Sequence, residues 1–279
     1  MNGQDFLTAM AASSRTRAAA ARRQESEAAL LARARATPPP PGLELDGFDV
    51  IAEIKRRSPA TGGLVGIGFD TERQLEAYAE GGAAAVSVLT EPERFDGALE
   101  HLTEAALTLG AYGLPAMRKD FLTETYQILE ARAAGAGGVL VIVTMLDDKQ
   151  VLDMVQCAHE QGLFVLLEGF DRADLDRIAA LDLAGLPGQT LAGVNCRDLK
   201  DLQVDFDRFE PLAAHLPPGL AAVAESGMDH AGHIETIARL GYSAALIGSS
   251  LMKAEDPRAR LREFIDRGRQ MRAKTQPCS

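Results

Sequence analysis

The feature that most limits how this chain can fold is a strict alternation of apolar runs and amphipathic segments. Beyond Gly42, eight short aliphatic or β-branched runs are each followed by roughly ten to fifteen residues with apolar side chains at helical spacing. Such alternation is typical of parallel strands joined by helical crossovers. Eight units predict a closed (β/α)8 TIM barrel, and an open doubly wound sheet is the alternative because periodicity does not show closure.

The predicted elements have defined limits. The predicted strands are Val50–Lys55, Ala85–Thr90, Pro115–Lys119, Val139–Val143, Phe164–Glu168, Leu191–Asn195, Ala221–Glu225 and Ala244–Ile247. The predicted helices are Thr71–Glu80, Ala98–Leu109, Glu124–Ala134, Asp147–Gln161, Asp171–Leu181, Asp205–Ala214, Asp229–Leu240 and Asp256–Gln270. Several begin at Asp or Thr and several end at Gly, as helix caps do.

A separate segment precedes the barrel pattern. Ala, Leu and Arg recur at helical spacing from Asp5 to Arg35 without Gly or Pro, and Pro38–Pro41 then end the helices. The Ala- and Arg-rich start also resembles a transit peptide, but Asp5 favours a plain helix. We therefore expect a helical extension over residues 1–48, a barrel domain over 49–270 and a polar tail over 271–279.

Charge and cysteine usage exclude several classes of protein. Forty acidic residues against 29 basic ones give a formal net charge of −11, whereas nucleic-acid binding through overall charge needs the opposite sign. Three cysteines without CxxC spacing indicate neither a disulfide framework nor a zinc site. The apolar stretch at Val139–Val143 is far shorter than the roughly 20 residues of a membrane helix. We expect a cytoplasmic protein that engages neither nucleic acid nor membrane.

Polar groups stand where the predicted strands end. The carboxyl ends of the strands form the functional face of a TIM barrel, and five strands end on Lys55, Lys119, Glu168, Asn195 and Glu225. Each residue alone is typical of a solvated loop. Together they would converge on one opening, where burial and opposite charges shift pKa values toward acid–base work.

Two small-residue loops follow the last two strands. These are Glu225-Ser226-Gly227 and Ile247-Gly248-Ser249-Ser250. Loops after strands 7 and 8, with a short helix after the second, commonly present backbone N–H groups to a phosphate. Either loop alone could be a simple tight turn, but both together predict a phosphorylated small-molecule ligand.

The remaining motifs give weaker indications of function. Gly66-Ile67-Gly68 and Gly135–Gly138 do not directly follow strands, so neither is a dinucleotide fingerprint. His230 and His233 lack further ligands at metal spacing, and we expect solvated helix-cap residues and no metal site. Cys196 has no histidine base at a strand end, which predicts a small buried or loop residue and not a nucleophile.

The residues at these strand ends resemble one known family, indole-3-glycerol phosphate synthase of tryptophan biosynthesis. The matching stretches run from strand 1 to strand 8 and are Ile51–Pro59, Ser87–Glu91 with Phe95, Arg118–Phe121, Asn195–Leu199, Ala224–Gly227 and Leu246–Met252. The resemblance implies a TIM barrel with its N-terminal helices packed over the barrel mouth. It also implies a cofactor-free carboxy-lyase that closes the ring of 1-(2-carboxyphenylamino)-1-deoxyribulose 5-phosphate, releasing carbon dioxide and water.

The resemblance implies roles for individual residues. Lys119 is the general acid at the ribulose carbonyl, Glu168 is the general base, and Lys55 pairs with the anthranilate carboxylate and donates a proton in the dehydration. The implied substrate-binding residues are Glu53, Ser58, Phe95, Phe121, Asn195, Arg197, Glu225 and Leu246. The implied phosphate-binding residues are Ser226, Gly227, Gly248 and Ser249.

The chain departs from the family pattern at Gly169-Phe170 after the general base, at Cys196, and by an extra glycine in the loop Ala60–Gly63. The alternatives from other classes are an isomerase or epimerase of another phosphorylated sugar and a non-catalytic barrel that binds phosphorylated ligands. We expect a monomer or weak homodimer. An anionic substrate also predicts local positive charge at the barrel mouth, from Lys55, Arg56, Arg57, Arg118, Lys119 and Arg197.

Overall fold

A computed structural model describes residues 3–58, 62–63, 69–197 and 203–275. Two predicted features, the Gly66-Ile67-Gly68 motif and Cys278, lie outside the described residues, and so does the side chain of Ser58. In the part of the chain that is described, no helix is long and apolar enough to span a membrane.

Eight parallel strands form the centre of the molecule. They are β1 (Asp49–Ile54), β2 (Ala85–Leu89), β3 (Ala116–Lys119), β4 (Gly138–Ile142), β5 (Phe164–Gly169), β6 (Thr190–Asn195), β7 (Ala221–Glu225) and β8 (Ala244–Ile247). Every end lies within one residue of its predicted position. Each strand pairs with its neighbours in sequence, and β8 pairs with β1 in the register Ala52 to Ile247, which closes the barrel. The predicted TIM barrel is confirmed, and the open sheet is excluded.

Helices precede the barrel and surround it. They are α1 (Gly3–Gln24), α2 (Glu27–Ala36), α3 (Thr71–Gly81), α4 (Pro92–Phe95), α5 (Leu99–Gly110), α6 (Thr125–Ala133), α7 (Asp148–Glu160), α8 (Arg172–Ala180), α9 (Phe209–Ala213), α10 (Ala231–Arg239), α11 (Ser249–Met252) and α12 (Pro257–Thr275). The predicted caps are present in several cases. For example, the side chains of Asp70, Asp147 and Asp171 accept hydrogen bonds from the first turns of α3, α7 and α8.

The structure differs from the predicted elements at four places. A short antiparallel hairpin pairs residues 57–58 with 62–63, and α4 forms after β2. The predicted helix Asp205–Ala214 is divided into a 3-10 turn, Phe206–Arg208, and α9. The last helix continues to Thr275 instead of ending at Gln270, because no Gly or Pro interrupts residues 271–275.

Alternation along each strand divides the apolar core into two layers. One layer fills the barrel and includes Ile51, Met117, Leu140, Leu166 and Val223. The other lies between strands and helices and includes Val50, Val139, Val165, Ile234 and Phe264. Since inward side chains toward the amino ends of the strands are apolar, the polar groups inside the barrel are concentrated at its carboxyl end.

Candidate active site

A cavity of about 840 Å³ opens at the carboxyl ends of the strands. Its lining contains the five strand-end residues and most of the other predicted site residues. Those predicted residues are Glu53, Lys55, Phe95, Lys119, Phe121, Glu168, Asn195, Arg197, Glu225, Ser226, Gly227, Leu246, Gly248 and Ser249. The structure therefore places every predicted site residue at one cavity except Ser58, whose side chain lies outside the description.

Lys119 is held between two carboxylates inside the barrel. Its Nζ donates to Glu168 Oε2 at 3.0 Å and to Glu225 Oε2 at 3.1 Å. Burial by itself lowers the pKa of Lys119, but attraction to Glu168, Glu225 and Glu53 outweighs it and raises the pKa above its ordinary value. The amine is therefore a cation at neutral pH, with protons directed toward the cavity floor.

The surroundings of Glu225 favour the neutral form of its side chain, whereas those of Lys119 favour the charged form. Its side chain is almost fully buried, and burial together with repulsion by Glu168 raises its pKa, while Lys119 only partly offsets them. One carboxylate oxygen, Oε1, has no hydrogen-bond partner among the described residues. Gly193 on β6 leaves the space for this side chain, because a Cβ there would lie 2.2 Å from Glu225 Oε1.

A second lysine, Lys55, lies beside a third carboxylate, Glu53. Lys55 Nζ donates to Glu53 Oε1 at 2.5 Å, and both side chains are mostly buried. Gly248, at the end of β8, approaches the same carboxylate so closely that a Cβ there would lie 2.4 Å from Glu53 Oε1. The cavity therefore contains two ammonium groups, each paired with carboxylate.

The side-chain amide of Asn195 on β6 links Glu168 on β5 to the neighbouring strand. Asn195 Nδ2 donates to Glu168 Oε1 at 3.1 Å, and the backbone N–H of Arg197 donates to Asn195 Oδ1 at 3.1 Å. Glu168 thus has Lys119 on one oxygen and Asn195 on the other. This arrangement fixes the orientation of the carboxylate, which is what a general base requires.

Aromatic rings form one wall of the cavity. Phe95 and Phe121 have ring centroids 6.2 Å apart, and Phe6 from α1 meets Phe121 edge to face at 5.8 Å. Such spacing is typical of packed aromatic groups. The wall provides an apolar surface for a planar ring next to the two lysines.

The rim opposite the aromatic wall is built from small residues. Ser226 and Gly227, directly after β7, both have positive φ, 70° and 80°. A non-glycine residue in that region costs about 1–3 kcal/mol and is concentrated at functional sites. The predicted short helix after β8 is present as α11, and its Ser249 and Ser250 line the same rim. Backbone N–H groups at a helix start lack partners within the helix, so they are available to an anion.

The N-terminal helix is fixed to the barrel beside Lys119. Arg17 of α1 forms two hydrogen bonds with the buried carboxylate of Asp120, at 2.7 and 3.0 Å. Asp120 also accepts from Thr90, from Arg118 and from the backbone of Phe121. Burial raises the pKa of Asp120, but the charges of Arg118 and Arg17 and the hydrogen bonds from Arg17 and the Phe121 backbone outweigh it and lower the pKa.

The prediction that Arg118 adds positive charge to the barrel mouth is wrong. Its guanidinium is buried outside the strands, against Thr90, the carbonyl of Gln127 and Glu130. Adjacent side chains of a strand point to opposite faces, so Arg118 and Lys119 cannot both face the interior. Arg118 instead supports Asp120 and the docking of α1.

Sequence reasoning missed several cavity residues. Phe6 and Leu7 reach the cavity from α1, and Phe170 lies buried at the position where the chain departs from the family pattern. No local pattern indicates the first two, since they depend on how α1 docks. Cys196 is buried as predicted, and burial raises its pKa to about 12.

The expectation that no other metal-ligating group lies near the two histidines is wrong. Asp229, His230 and His233 offer ligand atoms that all lie within 4.8 Å of one another. The chain turns at the start of α10, which brings the carboxylate against both rings.

The fold and the cavity together define a (β/α)8-barrel enzyme with an acid–base site at the carboxyl ends of its strands. The family model described as indole-3-glycerol phosphate synthase matches residues 13–264. The chain therefore belongs to the indole-3-glycerol phosphate synthase family.

Individual relatives agree with this family. The indole-3-glycerol phosphate synthase of Koribacter versatilis is 42% identical over 78% of this chain and 80% of its own length. That of Rhizorhabdus wittichii is 39% identical over 78% of this chain and 79% of its own length. Among solved structures, 3-hexulose-6-phosphate synthase from Salmonella typhimurium is only 12% identical, covering 82% of this chain and 100% of its own, and its TM-score of 0.58 reflects a shared fold alone.

Proposed function

We propose that this chain is a carboxy-lyase of tryptophan biosynthesis that converts 1-(2-carboxyphenylamino)-1-deoxyribulose 5-phosphate into indole-3-glycerol phosphate. The observation that carries the proposal is the pair Lys119 and Glu168, 3.0 Å apart on the floor of a cavity that also contains Lys55. Family membership supports the same reaction. A barrel with these groups has an acid, a base and a cation for a carboxylated aromatic substrate.

Ring closure is the first step. The aromatic carbon that bears the carboxylate attacks the ribulose carbonyl carbon, a carbon–carbon bond forms, and the carbonyl oxygen takes a proton from Lys119 Nζ. The raised pKa keeps Lys119 protonated at neutral pH, so a proton is present on Nζ for this transfer. Carbon dioxide then leaves, and the electron pair of the broken bond restores the aromatic ring. A positioned acid of this kind contributes about 10²- to 10⁴-fold to the rate.

Dehydration completes the indole. The hydroxyl derived from the carbonyl leaves as water with a proton from Lys55, while Glu168 removes the proton whose loss forms the new double bond. One proton from solvent balances the overall release of carbon dioxide and water. No electrons enter or leave, so the proposal requires no cofactor.

Binding follows from the walls of the cavity. Phe95 and Phe121 hold the aromatic ring, with Leu246 beneath the substrate, and Lys55 and Ser58 face its carboxylate. Glu53, Glu225, Asn195 and Arg197 orient the hydroxyl groups and the lysines. Ser226, Gly227, Gly248 and Ser249 receive the phosphate at the rim. These roles are supported by the shared cavity, and for Ser58 by sequence alone.

The proposal is tested by mixing the purified chain with the carboxyphenylamino substrate and following indole fluorescence. Because the chain has no Trp, product emission stands above a low protein background. A phosphorylated ketose without the aromatic ring is the control substrate, and we expect no turnover of it. A folded protein that makes no indole product would overturn the proposal.

We further propose that residues 49–270 form the catalytic domain, that 1–48 are a helical extension packed on the barrel with α1 over its mouth, and that 271–279 are a polar tail whose first residues, to Thr275, continue α12. Phe6 in the cavity and the Arg17–Asp120 pair support the covering role.

We also propose a cytoplasmic monomer or weak homodimer. Among described residues only Leu107, Tyr112 and Val204 are large, apolar and exposed, whereas obligate dimers bury extensive apolar surface. Sedimentation at several protein concentrations tests the assembly state.

A further inference from the structure

A second polar cluster lies on the rim of the cavity, one residue beyond the turn that follows β7. It consists of Asp229, His230 and His233, at the start of α10, and we refer to it as the rim cluster. Asp229 and His233 line the cavity together with Ser226 and Ser249. The roles proposed for catalysis and phosphate binding use none of its three side chains.

The distances within the rim cluster fit a metal ion. Asp229 Oδ1 lies 3.0 Å from His233 Nδ1 and 3.7 Å from His230 Nε2. All three ligand atoms lie within 4.8 Å of one another. Ligands about 2.0–2.1 Å from a tetrahedral metal are about 3.3 Å apart, so the two contacts to Asp229 bracket the required spacing.

The packing around the histidines holds the rings of the rim cluster in fixed positions. His233 Nδ1 is buried and lies 3.0 Å from Asp229 Oδ1, close enough for a hydrogen bond or for two ligands of one ion. The ring of His233 is stacked between Phe206, at 4.0 Å, and His230, at 3.7 Å between centroids. The stack fixes the plane of His233 and leaves its Nδ1 facing the carboxylate of Asp229.

We propose that Asp229, His230 and His233 bind one divalent transition-metal ion of the Zn²⁺ class. Two imidazole nitrogens and one carboxylate oxygen are ligands that Zn²⁺ and Co²⁺ favour, whereas Mg²⁺ and Ca²⁺ favour oxygen alone. Three protein ligands leave a fourth position for water or an anion. Since Asp229 and His233 line the cavity, the bound ion adds positive charge beside the proposed phosphate rim.

The test is a titration of the full-length, untagged chain with Zn²⁺, followed by calorimetry, and with Co²⁺, followed by visible absorption. We expect one ion per chain, with tetrahedral cobalt bands and no thiolate-to-cobalt charge transfer. His230→Ala and Asp229→Asn each weaken binding by about tenfold or more. His230 is the cleaner position because its side chain is 59% exposed.

His215→Ala is the matched control, since His215 also lies 3.7 Å from a single carboxylate, that of Asp176, at the surface. We expect its affinity for Zn²⁺ to equal that of the unaltered chain. Absence of stoichiometric binding, undiminished binding in folded His230→Ala and Asp229→Asn, or a thiolate band in the cobalt spectrum would each overturn the proposal. Because the readout is binding and not turnover, its failure is distinct from failure of the proposed reaction.

Discussion

Lys119 Nζ and Glu225 Oε2 are 3.1 Å apart across the barrel, although the two residues are separated by 106 positions in the chain. Closure of the sheet brings the carboxyl ends of β3 and β7 to the same cavity. The same ammonium also donates to Glu168 at 3.0 Å. Burial and repulsion by Glu168 outweigh the attraction of the single ammonium, so the pKa of Glu225 is raised.

Replacing the ammonium removes the acid while leaving most of the cavity in place. We expect Lys119→Met to lower kcat by at least about 10²-fold, the lower range for loss of a general acid. Substrate affinity, measured by calorimetry on the inactive variant, should change only a few fold, since Lys55 and the phosphate rim remain. The control is Lys149→Met, which alters an exposed lysine paired only with Asp153. Turnover near normal in Lys119→Met would remove Lys119 from the acid role.

The raised pKa of Glu225 predicts a pH-dependent stability. Its pKa rises from 4.5 in the unfolded chain to about 8 in the folded one, so the folded state binds more protons between these values. The contribution of Glu225 to stability is therefore present at low pH and is lost as pH rises through this window. We expect the Tm of Glu225→Gln to exceed that of the unaltered chain near pH 8, and the difference to narrow toward pH 5.

Thermal denaturation at several pH values measures this difference, with Glu210→Gln, a change at an exposed glutamate, as control. We expect the control to track the unaltered chain at every pH. The same Glu225 variant should turn over more slowly, since Lys119 loses one of its two carboxylate partners. A constant Tm difference from pH 5 to pH 8 would contradict the ionisation argument.

The barrel and the residues on the floor of its site could be predicted from the sequence, because both depend on local patterns. Each strand-helix unit carries its own apolar period, and strand ends converge in any closed parallel sheet. The outward direction of Arg118 was also predictable in principle, since it precedes Lys119 in the same strand and side chains alternate.

The docking of α1 could not be predicted from the sequence, because it depends on contacts between residues far apart in the chain. Phe6 enters the cavity, and Arg17 meets Asp120, 103 positions away, only because α1 packs across the barrel mouth. Nothing in the amphipathic pattern of α1 specifies which strand end it covers. The rim cluster, in contrast, could have been predicted, since Asp229 is adjacent to His230 and four residues before His233, a spacing that brings side chains together at a helix start.

A methyl group at the phosphate rim should disturb both the rim and Lys55. In Gly248→Ala the new Cβ would lie 2.4 Å from Glu53 Oε1 and 3.1 Å from Glu53 Cβ, so Glu53 must move away from Lys55. We expect KM to rise by on the order of tenfold, corresponding to about 1.4 kcal/mol. Steady-state kinetics with the carboxyphenylamino substrate measure the change. Gly110→Ala, where a Cβ meets nothing within 4 Å, is the control, and equal KM values for the two variants would refute the steric argument.

The Arg17–Asp120 pair should couple the N-terminal helix to catalysis. In Arg17→Met the buried carboxylate of Asp120 keeps Arg118, at 3.2 Å, but loses both hydrogen bonds from α1. Breaking a buried ion pair costs about 3–5 kcal/mol, and the remaining arginine should hold the loss to the lower end of that range. Because Phe6 on the same helix contacts Phe121, loosening α1 also opens the aromatic wall. We therefore expect a lower Tm together with a higher KM.

The control is Arg15→Met, which removes the same charge from an exposed position two residues away, and it should change neither quantity. A lower Tm with unchanged KM would show that the pair stabilises the fold without shaping the substrate cavity.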